Sequence, residues 1–244
     1  VFNKSNSTIE EKTSSTNAYD LSECQFDEDG NLWVISSRST SPLSVLTPDG
    51  NWYGFNCSAV SSSVRLTESA IDDEGVIWAA AINTGLWAYN PNGTADNDSD
   101  DECKMLSTAL GNGNLPTAQV NCVAVDLDGE LWVGTETGPA VIYTPSNAFS
   151  TGDYDAQQIL IEQDGNIQIL LETEAITCIT IDGANRKWIG TRNSGAFLIS
   201  EDGTEQILHF TEENSPLPAD GIVDIAVNGE TGEVYFGTLN GIVS

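Results

Sequence analysis

A single histidine, His209, stands in 244 residues. It sits next to Phe210 in the run Glu205–Gln206–Ile207–Leu208–His209–Phe210, where a satisfied structural role is expected. Nucleophilic catalysis needs a base beside its nucleophile, and no Gly-x-Ser-x-Gly elbow or His-rich cluster accompanies this one. Acidic residues outnumber basic ones 37 to 8, for a net charge of −29. Carboxylate pairs are so common here that a pair does not mark a glycosidase. The same field repels phosphate backbones and makes nucleic acid a poor partner. Catalytic residues are therefore not expected.

Asp96, Asp98 and Asp100 alternate within Asn92–Glu102, as in the first half of a calcium loop. Such loops gather oxygen ligands at about 2.3–2.6 Å. Asp101 stands where the loop needs Gly, and no Glu closes the twelfth position, so a solvated acidic turn is the simpler reading. Calcium is the one cofactor the sequence suggests. Of the five cysteines, Cys122 and Cys178 each lie four residues before a turn Asp and read as small core residues. Cys24 lies one position along in its own copy. An odd count without C-x-x-C spacing argues against a zinc site or a complete disulfide framework, and leaves a Cys57–Cys103 bridge open.

The elements carrying these residues repeat. Phe26–Ser36, Ile71–Ala81, Asp126–Thr135, Ile181–Thr191 and Val227–Thr238 spell one phrase five times: an acidic or Asn turn with Gly, then an apolar–aromatic–apolar run. The aromatic anchors are Trp33, Trp78, Trp132, Trp188 and Tyr235, spaced by 45, 54, 56 and 47 residues on subtraction. Each phrase reads as a tight hairpin, with hairpins expected near 22–36, 68–81, 121–135, 177–191 and 223–238. A third apolar run follows, as in Gly85–Tyr89 and Gly195–Ile199, and in most copies a fourth. Four antiparallel strands per unit, repeated at this period, predict an all-β fold: a β-propeller of four-stranded blades. A sandwich also has evenly spaced strands, but does not repeat one phrase. One domain over 1–244 is expected, because each blade buries its faces against its neighbours. The anchors are expected to pack between blades, with Trp87 buried and Trp52 outside the register.

Val1–Phe2–Asn3 resembles the end of a third strand, and Gly241–Ser244 the start of one. Lys4–Ser15 is then expected to carry an outermost strand. Two arrangements fit: a closed five-bladed ring in which the N-terminal strand completes the last blade, or part of a larger, for example seven-bladed, propeller. No run of 18 apolar residues is present.

The phrases DGELWVGT and NSPLP…IVDIAV resemble the two-component-regulator propeller repeat, found in periplasmic sensor domains and cell-surface proteins of Bacteroidota. Over Ile176–Ser244 the chain further resembles the propeller of PorZ-type surface proteins of the type IX secretion machinery. That resemblance implies a non-enzymatic role outside the cytoplasm, at the periplasm or outer-membrane surface. The partners it implies are a secretion protein and an anionic envelope glycan. A PorZ-type protein also carries a C-terminal sandwich, and none is expected within these residues.

In such a propeller, the loops after the second strands share a face with the blade-to-blade connections. Three of the eight basic residues map there: Arg38, Arg65 and Arg192. Arginine engages carboxylates and phosphates bidentately, so this rim is a candidate glycan-binding face. Asn83, Glu136, Asn193 and Asn240, with Thr84 and Thr137, would complete it. The plainer alternative is that the arginines pair with neighbours such as Glu68 and Glu136. Two other readings stand beside it: an oligosaccharide-sensing ectodomain of a hybrid two-component sensor and, more weakly, a propeller lyase.

Overall fold

An Asp side chain closes each of the first three hairpins and fixes the indole that follows it. The Asp27 carboxylate accepts from the Asp29 and Asn31 N–H groups at 3.1 and 2.8 Å, and from Trp33 Nε1 at 2.8 Å. Asp72 repeats this with Glu74, Val76 and Trp78, and Asp126 with Asp128, Glu130 and Trp132. The six-residue Asp-to-Trp spacing in the sequence is the reach of this loop. Position four of the turn takes positive φ, at Gly75 for example (φ 81°), where glycine has no steric penalty.

The structure, a computed structural model, describes residues 2–15, 18–163 and 165–244. Its strands form antiparallel meanders. Blade 1 comprises β1 (Leu21–Phe26), β2 (Leu32–Ser36), β3 (Leu43–Leu46) and β4 (Trp52–Phe55). Blade 2 comprises β5 (Leu66–Ile71), β6 (Ile77–Ala81), β7 (Gly85–Asn90) and β8 (Glu102–Leu106). Blade 3 comprises β9 (Val120–Val125), β10 (Leu131–Thr135), β11 (Gly138–Ile142) and a two-residue β12 (Gln157–Gln158). A separate hairpin follows, β13 (Leu160–Gln163) with β14 (Asn166–Ile169). Blade 4 comprises β15 (Ile176–Ile181), β16 (Lys187–Thr191), β17 (Ala196–Ile199) and β18 (Gln206–Phe210). Blade 5 comprises β19 (Ile222–Val227), β20 (Val234–Thr238) and β21 (Gly241–Val243). The predicted all-β propeller blades are present, with each hairpin starting one or two residues earlier than the repeat suggests.

The inner strands β1, β5, β9, β15 and β19 lie side by side in chain order. Side chains stitch each to the next. Gln25 Nε2 donates to Ser69 O at 2.5 Å, Thr67 Oγ1 to Asn121 O at 3.3 Å, and Asn121 Nδ2 to Ile176 O at 2.8 Å. Thr180 Oγ1 donates to Ile225 O at 2.6 Å. Between blades, apolar clusters surround the anchors: Trp33 with Ile77, Trp78 with Val123, Trp132 with Ile189, and Trp188 with Phe236. Trp87 is fully buried as expected. Trp52, outside the register, is half-buried and meets Phe2 edge-on at 5.1 Å.

Three expectations are corrected. Tyr235 is not a packed anchor: it is 38 % exposed, since no sheet of the described residues covers that face of blade 5, and its hydroxyl donates to Glu233 at 2.7 Å. Residues 2–15 form no strand. They lie across blade 1, where Thr8 donates to Tyr53 O at 2.9 Å and rests against Gly54, whose missing side chain leaves the room. Blade 3 departs from a plain fourth strand, because a 3-10 helix at Pro145–Phe149 and the extra hairpin occupy its long repeat. Cys57 and Cys103, left open above, are disulfide-bonded and tie blade 1 to the outer strand of blade 2. Cys122 and Cys178 are free and buried, as read. Among the described residues no sheet joins strands of the first and fifth blades.

Candidate functional site: rim and central channel

The rim holds the predicted residues, though mostly in local pairs. Arg192 follows β16 and grips Glu136 of the neighbouring blade through both terminal nitrogens, one at 2.7 Å. Asn121 Nδ2 donates to the same carboxylate at 3.1 Å. The Arg192 hydrogen bonds hold the Glu136 carboxyl below its ordinary value and raise Arg192 in turn. Arg38, at the unusual φ of 56°, pairs with Asp20 at 2.5 Å. Its backbone N–H reaches Val64 O, which sets Arg38 near the exposed Arg65. Arg65 has no ion-pair partner among the described residues. Asn83 accepts from Gln119 at 3.2 Å, Asn240 donates to Pro218 O at 3.3 Å, and Asn193 is exposed. The rim thus assembles one cluster, Asn121–Glu136–Arg192. Arg38 and Arg65 lie together at the blade 1–2 connection.

His209 is structural. Its Nε2 lies 2.7 Å from Ser194 O and its ring stacks on Phe197 at 3.9 Å. In the acidic loop, the Asp100 carboxylate accepts from Asn97 at 3.0 Å. Among the described residues no group of three His, Cys, Asp or Glu side chains is placed to hold a metal ion, those of Asp96, Asp98 and Asp100 included.

The central channel is where sequence reasoning missed the concentration of charge. The third residue of each inner strand is Glu23, Glu68, Cys122, Cys178 and Asp224 in turn. Glu23, Glu68 and Asp224 line a cavity of about 410 Å³ together with Gln25, Thr180 and Val123–Val125 of β9. Burial, then the charges of Asp224 and Glu23, push the Glu68 carboxyl up to about 8. Burial raises Glu23 as well. At the same position of blades 3 and 4, burial pushes the Cys178 thiol up to about 12, and Cys122 is likewise raised. These thiols are poor nucleophiles at neutral pH. The signal was in the register: the column is legible once the five inner strands are aligned.

No family model matches the chain, and no curated protein does. Solved structures do. PorZ, a surface component of the type-IX secretion system of Porphyromonas gingivalis, matches with TM-score 0.88 at 25 % identity over 99 % of this chain. The present chain spans 33 % of that one. Virginiamycin B lyase from Staphylococcus aureus matches with TM-score 0.58 at 16 % identity, covering 88 % of this chain and 62 % of the lyase. An extracellular domain assigned to a one-component system of B. thetaiotaomicron matches with TM-score 0.50 at 14 % identity, over 93 % and 36 %. The last two likenesses are of fold alone.

Proposed function

We propose that the chain is a non-enzymatic propeller module acting outside the cytoplasm, as a binding platform within a surface assembly of the secretion type. One observation carries this: the close superposition on PorZ along nearly the whole chain, at an identity well above that of the lyase and sensor folds. Two features agree with it. The Cys57–Cys103 bridge suits an oxidising compartment. The lone histidine is engaged in structural contacts, through Ser194 O and the Phe197 ring. No helix among the described residues is long and apolar enough to cross a membrane. The loop-bearing rim is the binding face of this reading, with Arg38 and Arg65 as the cationic end. An anionic envelope glycan or an acidic protein segment fits there.

The test is calorimetric titration with anionic lipopolysaccharide and a neutral polysaccharide, alongside Arg65→Glu and Arg192→Glu. Heat with the anionic sample alone, lost in Arg65→Glu, supports a glycan-binding rim. Heat with neither sample removes the glycan and leaves a protein platform. Selective heat with the neutral oligosaccharide favours the sensor reading instead.

A further inference from the structure

The third repeat, from Trp132 to Trp188, is the longest of the four at 56 residues by subtraction, and its surplus includes the hairpin β13–β14. This hairpin belongs to no blade sheet. Its inner side is anchored: Ile159, Ile161 and Leu170 are buried in one cluster with Trp132, Ile189 and Phe197. The Trp132 ring of that cluster also carries the fully buried Lys187 ammonium, 4.9 Å from its centre. Lys187 reaches back to Asp126 of the preceding blade at 2.9 Å, on the face of the propeller where the turns of the blade hairpins lie. Close packing and an ion pair therefore fix the base on which β13–β14 stands.

The outer side is bare, and register sets which groups it presents. Leu170 N–H donates to Ile159 O at 2.8 Å, so the next hydrogen-bonded pair, two residues along, is Ile161 with Gln168. The alternate pairs, Leu160 with Ile169 and Glu162 with Ile167, turn their N–H and C=O groups away from each other. On β14 those groups of Ile167 and Ile169 point along a free edge and have no hydrogen-bond partner among the described residues. Leu160, Glu162, Ile167 and Ile169 share the outward face, where Leu160 is 59 % and Ile167 76 % exposed.

A bare edge strand is a template for another strand, and native edges are guarded by a Lys, a Pro, a bulge or a covering loop. β14, Asn-Ile-Gln-Ile, carries no charge and no Pro, and pairs with β13 without a bulge. Charge decides the occupant. Between Lys104 and Arg186 the chain holds eleven acidic residues and no Lys or Arg, and Glu162 puts one of those charges on the hairpin's outward face. A second copy of this chain, at −29, would bring the same sign of charge to that edge. We propose that β14 is a docking edge for an extended basic segment of a partner polypeptide, added as a third strand. Main-chain hydrogen bonds to Ile167 and Ile169 hold the segment, and its alternate apolar side chains lie beside theirs. Its Lys or Arg side chains answer the acidic field. The proposal rests on this edge alone and holds whatever binds at the rim.

The reporters are the Ile167 and Ile169 amide signals of the nitrogen-15-labelled chain, and the probe is a short capped peptide of alternating Lys and Val, added at constant ionic strength. Saturable shifts at both amides are expected, with protection of both from hydrogen exchange. The same peptide N-methylated at every residue keeps its charge but cannot pair with a strand edge, and should lose the response. A peptide of alternating Glu and Val should not bind. Ile167→Pro removes an edge N–H that makes no bond to β13, so the hairpin stays, and binding read at Ile169 should weaken about threefold to tenfold. Ile167→Lys keeps the backbone and adds a like charge beside the basic strand, which should weaken binding about two- to fivefold. An unchanged Trp132 indole signal, beneath the hairpin, shows that either variant is folded. No saturable shift, equal binding of the N-methylated or the Glu peptide, or full affinity in either variant overturns the proposal. Shifts at the same amides that grow with protein concentration alone identify a second copy as the occupant and overturn it too.

Discussion

Between blades 3 and 4 the turn face is closed by Lys187, while between blades 1 and 2 the same position is an acidic cleft. The first seam gains more than the ion pair. Asn185, at φ 58° where the other Asp turns carry Gly, donates to Asp128 at 2.8 Å and accepts from the Leu127 N–H. The second seam is fastened elsewhere, by the Cys57–Cys103 bridge and by Trp33, Phe55 and Tyr89 in contact. Blades 2 and 3 use a third device: Lys104 donates to Ala148 O and faces the Phe149 and Tyr154 rings at 5.1 and 4.9 Å. One repeated phrase fixes each blade; unrepeated residues fix one blade to the next. At the blade 1–2 seam the Asn31 amide stands on Asp27 where Lys187 stands on Asp126.

The largest effect should come from Lys187→Met. It strands the Asp126 carboxylate in the interior and should cost about 3–5 kcal/mol in denaturant unfolding. Asp126→Asn in that background should recover part of it; a loss under about 1 kcal/mol would remove the pair from the account of this seam. Trp132→Ala should cost about 3–5 kcal/mol as a core truncation. Trp33→Ala should cost less by about 1–2 kcal/mol, since no cation rests on its ring. Equal losses would deny Lys187 its aromatic contact.

The blade 1–2 seam should respond to Cys57→Ser with Cys103→Ser by about 2–4 kcal/mol, seen as a lower Tm, whereas Lys187→Met leaves the bridge intact. In the channel, Glu68 titrates near 8 when folded against 4.5 for the free side chain. The folded chain then holds an extra proton across that window, so stability is full below it and falls as pH rises through it. Glu68→Gln should flatten the fall in Tm between about pH 5 and 8. Smallest of all, Glu136→Gln at the rim should change stability by about 0–1 kcal/mol, as a partly exposed pair.

The blades were legible because their causes are local. The Asp27, Asp72 and Asp126 turns each bond an indole six residues on, so chemistry and spacing appear together in the chain. Blade 4 shows the limit. Asp182 spends the equivalent oxygen on Arg186 at 2.8 Å and leaves Trp188 Nε1 buried without a partner, though the phrase looks the same. The rim was half legible. Arg192 and Glu136 were expected to share a face and do so, while Glu68, offered as an arginine partner, points its charge into the channel instead. Tyr235 kept the anchor's register but not its burial, because burial depends on the next sheet.

By itself, the sequence determined the repeat, the hairpin in each repeat and the anchors that fill the gaps between blades. Each is a matter of residue type at short spacing, where hydrogen bonding and side-chain alternation act within a few residues. The tertiary structure decided which charges meet. Glu23, Glu68 and Asp224 converge because strands far apart in the chain share an axis. Lys187 finds Asp126 because one blade's second strand packs on the turn of the blade before it, while Asp27 is met by Asn31 of its own turn. Electrostatics acts through space, and only the packed blades define that space.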